Sequence, residues 1–189
     1  MAEPLILASS SPRRKELMFL TGIPFETDTS NVDEVCDLPA AQAVAELSRR
    51  KAAASSQTHP GRYVLASDTL VSVDGITLGK PENQTDAVRM LRLLSGRTHQ
   101  VYTGVTVITP DGRVLTETDQ SNVTFDELKD SDIIAYVQTG DPLDKAGSYG
   151  VQGMASMFIS HIDGCFFGVM GLPLYLVRRL LIQAGYPLN

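Results

Sequence analysis

Four apolar residues, Leu5-Ile-Leu-Ala8, run directly into three serines and a proline, and this junction constrains the fold more than any other feature. A short uninterrupted apolar run reads as a buried strand. Pro12, behind Ser11, reads as the first residue of a helix with Ser11 at its N-cap. Arg13, Arg14 and Lys15 fill the first turn of that helix, where positive charge opposes the helix dipole. An anion at the same end would reverse the penalty, because backbone N–H groups, serine hydroxyls and guanidinium forks would all point at it. The residues equally suit a solvated helix start. Neither G-x-x-x-x-G-K-[ST] nor G-x-G-x-x-G occurs in the chain.

Downstream, strand and helix patterns alternate. Helix Pro12–Leu20 stops at Gly22, an extended piece covers Phe25–Asp28, and an acidic loop carries Asp33 and Glu34. A helix spans Ala40–Ser56. A long strand, Tyr63–Val73, turns back at Asp74-Gly75 into Ile76–Leu78. Helix Thr85–Leu94 places Ala87, Met90, Leu91 and Leu94 on one face. Val101–Ile108 and Arg113–Phe125 form a second hairpin, and helix Ser131–Thr139 follows. After a turn-rich loop, Asp141–Gly153, strands are expected at Met157–Ile162 and Cys165–Val169, paired around Asp163-Gly164. A last helix runs from near Pro173 to Gly185. Hairpins mixed with crossovers predict one α/β domain over residues 1–189 with a mixed sheet.

The 189 residues, 43% of them apolar, suffice for one substantial core or two small lobes. No apolar run approaches the ~18 residues of a membrane span, and no signal-peptide pattern opens the chain. Cys36 and Cys165 are the only cysteines, which argues for a reducing, cytoplasmic setting. His59, His99 and His161 lack metal-site spacing. A net charge of −6 fits a nucleic-acid polymer poorly, whereas local cations can still take a small anion.

Ser67-Asp68-Thr69 interrupts an otherwise apolar strand. A carboxylate there must be paired, hydrogen-bonded or metal-bound, and once fixed it can serve as a general base or metal ligand. Glu34 could add a second oxygen, suiting Mg²⁺ or Mn²⁺ shared with substrate phosphates. Lys51 lies within a helix. Lys80 is presented by the Gly79-Lys80-Pro81 turn, where it could make a point-charge phosphate contact. Gln152, in the glycine-rich loop, offers both a donor and an acceptor.

Taken in order, Ser9-Ser-Ser-Pro-Arg-Arg14, Asp33-Glu34, Arg50-Lys51-Ala52, Ser67-Asp68-Thr69, Gly79-Lys80-Pro81, Leu93-Leu-Ser-Gly-Arg97, Tyr102-Thr-Gly104, Asp144–Gly153 and Gly171-Leu-Pro173 resemble the Maf-type nucleoside triphosphate pyrophosphatases over nearly the whole chain. The resemblance implies an elongated mixed sheet with flanking helices and two lobes around a cleft, similar to inosine-triphosphate pyrophosphatases. It implies hydrolysis of a nucleoside triphosphate to monophosphate and pyrophosphate with a divalent cation. By position, Ser9, Arg13, Arg14, Lys51 and Lys80 would bind phosphates, Glu34 and Asp68 would hold the metal, and Asp68 would accept the proton. Arg13, Thr69 and Gln152 match the dTTP/UTP subfamily. Ser67 and Gly79 depart from relatives that often carry Ala and Glu there. A 7-methyl-GTP specificity, a nucleotidyltransferase and a nucleotide-binding regulator of septum formation stand as alternatives. A homodimer is left open.

Overall fold

The computed structural model describes residues 3–29 and 32–188; the ends of the expected 1–189 domain lie outside them. Its strands form one mixed sheet in the order β2-β1-β3-β5-β6-β7. These are β1 Leu5–Ala8, β2 Phe25–Asp28, β3 Val64–Val73, β5 Thr98–Ile108, β6 Val114–Phe125 and β7 Ile159–Asp163, with a short β4, Ile76–Leu78, added on β3. β1 runs parallel to both β2 and β3, and every later pairing is antiparallel. The helices are α1 Pro12–Leu20, α2 Ala40–Thr58, α3 Gln84–Leu94, α4 Asp130–Gln138, α5 Phe166–Val169 and α6 Leu174–Ala184.

The register of β3 explains the two lobes. β5 covers one edge of β3 from Val64 to Ser72. The other edge is shared, because Ala8 of β1 stands opposite Ala66 and Leu78 of β4 stands opposite Val71. Ser67–Leu70 are thus left without a strand partner on that side. The core divides at the same place. Leu7, Leu65, Val105 and Val107 pack with α1 and α6, whereas Val71, Val101 and Phe125 pack with α3 and α4. On the opposite face of the first lobe, α2 covers Ile6, Ala8, Val64 and Ala66 through Ala52. A sheet whose strand partner changes leaves a crevice at the change, which is where open α/β sheets bind ligands.

α2 lies close to the sheet because Gly104, paired with Asp68, has no side chain. A Cβ there would stand 2.2 Å from the Val44 carbonyl oxygen of α2. Gly104→Ala should therefore lift α2 and the lysine it carries, costing about 1–3 kcal/mol and lowering turnover. Thermal unfolding together with a rate assay checks this, and an unchanged midpoint with unchanged rate would contradict it.

One expected element differs. Cys165–Val169 does not form a strand: Phe166–Val169 is the short helix α5. The Cys165 sulfur accepts the Gly168 N–H at 3.3 Å, Val169 N–H bonds the Cys165 carbonyl at 3.0 Å, and Ser121 Oγ takes the Cys165 N–H at 2.9 Å. Local bonds thus consume the donors a ladder would need, and a short apolar run carries no periodicity to separate helix from strand. β7 starts at Ile159 and pairs with β6, while Met157 belongs to a 3₁₀ turn, Met154–Phe158.

Candidate active site

Alternation along β3 sends Asp68 to the α2 face of the sheet and Thr69 to the opposite face, so the crevice is furnished from two sides. On the α2 side Lys51 Nζ bridges two carboxylates, at 2.5 Å from Asp68 Oδ1 and 2.7 Å from Glu34 Oε1. Asp68 is only 7% exposed, and the Lys51 side chain is nearly as covered. Glu34 is more open, and its carboxyl is held below the usual range chiefly by the Lys51 hydrogen bond. Arg50 explains how a loop glutamate stays in place: its Nη1 donates to the Val35 carbonyl at 3.0 Å and the Asp33 carbonyl at 3.4 Å. Adjacent residues of one helix thus divide the work, Arg50 holding loop backbone and Lys51 holding carboxylates.

On the other side Arg14 Nε donates to the Gly171 carbonyl at 2.9 Å and Nη2 to Thr69 Oγ1 at 3.2 Å. Burial lowers the pKa of this guanidinium, against the attraction of Asp68 and Glu34. Ser67 Oγ shares the Gly171 carbonyl at 2.9 Å. Ser11 holds the N-cap position of α1 but caps no amide with its side chain. Instead Ser9 Oγ accepts the Ser11 N–H at 3.2 Å. The first turn of α1, with no side-chain cap, therefore faces the crevice as an anion-accepting helix end.

The loop 141–153 crosses from one lobe to the other. Asp144 pairs with Arg13 at 3.4 Å, and Gly147 N–H bonds the Gly79 carbonyl at 3.0 Å beside Lys80. Gly147 has φ +67°, and a Cβ there would meet Val71 at 2.9 Å, so only glycine fits both the turn and the contact. Lys145 is buried, with Nζ at 2.9 Å from Asp141 Oδ1 and 2.7 Å from Asp144 Oδ1. Lys80 is exposed and opens on a groove of about 700 Å³ shared with Asn83, Thr85, Asp86 and Arg89.

The structure thus gathers Asp68, Glu34 and Lys51 on one side and Arg14 and Thr69 on the other, with Ser9 and Arg13 at the α1 end. Gln152 stands exposed on the loop, and its side chain makes no hydrogen bond among the described residues. Three groups at the site were not among the expected site residues. Thr103 pairs across the ladder with Thr69 on one side and Asp119 on the other. Asp119 is 6% exposed and accepts from Tyr175 at 2.7 Å. Its signal was the same as that of Asp68: alternation with Ser121, Val123 and Phe125 puts an acid on a buried strand face. Asp144 and Lys145 form the third group, and only the fold brings them to Arg13.

No three His, Cys, Asp or Glu side chains gather at one point among the described residues. Glu34 and Asp68 converge on the single cation position that Lys51 fills. Two hard carboxylates fit Mg²⁺ or Mn²⁺ as a partial donor set, to be completed by substrate oxygens and water.

Two solved structures share the architecture: a Staphylococcus aureus Ham1 protein, at TM-score 0.57 and 14% identity over 96% of this chain and 99% of that one, and a nucleoside-triphosphatase / dITP/XTP pyrophosphatase from Mycobacterium abscessus, at TM-score 0.50 and 14% identity over 98% and 100%. At that identity the likeness is one of fold. Sequence relatives lie far nearer. A dTTP/UTP pyrophosphatase of Caldicellulosiruptor bescii is 46% identical over 191 residues, 97% of this chain and 96% of its own length. One of Bacillus cereus is 47% identical over 179 residues, 93% of each. The family described as Maf-like protein matches residues 4–184, and with relatives this similar across both lobes and the crevice between them, the chain belongs to the Maf family.

Proposed function

We propose that this protein hydrolyses dTTP and UTP to the monophosphate and pyrophosphate. The observation that carries the reading is the convergence of Asp68, Lys51 and Glu34 with the cationic start of α1 at the break in the β3 edge. Arg13, Arg14, Lys51 and Lys80 bring positive charge to the crevice from α1, α2 and the Gly79–Pro81 turn, which suits a polyanion. The relatives named for dTTP and UTP supply the nucleotide class.

In this reading Arg13, Arg14, Lys80 and the uncapped amides of α1 bind and orient the triphosphate, work that is mostly positioning and electrostatics. Lys51 holds the Asp68 carboxylate in place at 2.5 Å, where it can accept the proton of the attacking water. Glu34 and Asp68 would hold Mg²⁺ or Mn²⁺, which when bound supplies Lewis-acid neutralisation of the phosphate oxygens. Thr69 and Gln152 would read the pyrimidine. The overall acidity argues against a nucleic-acid polymer as partner, and no helix among the described residues is long and apolar enough to cross a membrane. Cys36 and Cys165 form no disulfide, in keeping with the cytoplasmic placement we propose.

The test is a nucleotide screen with Mg²⁺, Mn²⁺ or excess EDTA, reading pyrophosphate and monophosphate together. We expect dTTP and UTP to lead, equal amounts of both products, and loss of turnover in EDTA. Best activity on 7-methyl-GTP, product only when a sugar phosphate is added, or binding without turnover would each replace the proposal with a different function.

A further inference from the structure

We propose that Thr103, a residue out of reach of substrate, sets the polarity of the Thr69 hydroxyl so that it can only accept a hydrogen bond, and thereby selects bases with a ring N–H, uracil and thymine, over cytosine. The inference rests on the pyrimidine-nucleotide reading above and deepens it.

The argument is proton counting. Thr103 is fully buried, and its Oγ1 lies 2.9 Å from the Gly168 carbonyl and 3.0 Å from Thr69 Oγ1. A carbonyl cannot donate, so the single Thr103 proton must lie toward Gly168; pointed anywhere else, it would leave two oxygens at 2.9 Å with no hydrogen between them. The Thr69–Thr103 contact then takes its proton from Thr69. Arg14 Nη2 donates to the same Thr69 oxygen at 3.2 Å, and a guanidinium has no acceptor to offer in return. The Thr69 hydroxyl has spent its one proton and accepted one bond. A single lone pair is left for the half-exposed side of the crevice.

Uracil and thymine carry an N–H at ring position 3, where cytosine carries a lone pair. An acceptor-only hydroxyl binds the first and repels the second. A hydroxyl free to rotate would serve both, so the discrimination depends on Thr103, and Thr103 acts as a positioning residue.

Thr103→Val removes the acceptor for Thr69 and releases its proton. The Gly168 carbonyl is not orphaned, because the Gly171 N–H also bonds it at 2.9 Å. The experiment measures kcat/KM for UTP and CTP with the wild type, Thr103→Val and Thr103→Ser. The UTP-to-CTP ratio should fall at least about tenfold in Thr103→Val and stay within about twofold in Thr103→Ser, which keeps the hydroxyl. If Thr103→Val does not fold, Thr103→Cys, whose sulfur is a weak acceptor, should lower the ratio in the same direction. An unchanged ratio in Val or Cys, even with both rates reduced, overturns the proposal and leaves Thr103 as packing. A wild type with no preference for UTP over CTP also overturns this inference but leaves the pyrimidine reading standing, since cytosine is a pyrimidine; a wild type that prefers purine triphosphates overturns that reading, and this inference with it.

Discussion

Asp68→Asn should lower kcat by at least ~10² while the protein stays folded. The substitution nearly preserves shape but removes the charge that Lys51 meets at 2.5 Å. An amide is a poor proton acceptor and a weaker metal ligand. Folding should survive because Lys51 still has Glu34 at 2.7 Å, so the ammonium keeps a counter-charge. The measurement is kcat at saturating metal and nucleotide, with thermal unfolding alongside. A near-normal kcat would remove Asp68 from the chemistry. Loss of folding instead would mean that the carboxylate is there to satisfy the buried lysine.

How much of this could be read from the sequence depends on range. Elements with local signals came through closely: Pro12 starts α1 as expected, Asp74-Gly75 makes its turn, and the apolar spacing of Ala87, Met90, Leu91 and Leu94 matches the buried face of α3. Asp68 announced itself as a charge inside an apolar run. What could not be read was which face each residue takes relative to helices far along the chain. Asp68 and Thr69 are neighbours in sequence, yet one answers to α2 and the other to α1 and the Gly171 turn. The pattern Arg49-Arg50-Lys51 told only that Lys51 lies within a helix, and the resemblance implied its role; the close approach that Gly104 permits is what brings it to Asp68 and Glu34. The strand expected at Cys165–Val169 failed because a cysteine sulfur and a serine hydroxyl, not hydrophobicity, decide that backbone.

Stability should fall by about 3 kcal/mol as the pH drops from 6.5 to 4, and His99 should account for most of the loss above pH 4.5. His99 is fully buried. Its Nε2 lies 2.7 Å from the Tyr149 hydroxyl, its Nδ1 has no hydrogen-bond partner, and the ring stacks edge-on against Phe125 and Tyr149. Nothing there compensates a second proton, so burial pushes the imidazole from 6.5 to about 4. The sign follows from proton counting. Between these values the unfolded chain binds a proton that the folded chain refuses, so stability rises with pH through the window, is complete above 6.5, and is lost on acidification. Each pH unit between the two values is worth about 1.4 kcal/mol, and the whole window gives the figure stated. Glu34, held below its normal 4.5 by Lys51, also withdraws stability on acidification, but only below that value, so the two contributions separate by pH. His99→Gln keeps a polar group near Tyr149 without a titrating ring. Urea unfolding at about pH 6.5 and about pH 5 should show the wild type losing about 2 kcal/mol between them and the variant close to flat. Equal slopes in both proteins would show that the acid sensitivity lies elsewhere. Because Tyr149 sits in the loop that carries Lys145 and Gln152, a charged His99 should loosen the crevice before the sheet, and the variant should then retain nucleotide turnover to lower pH than the wild type.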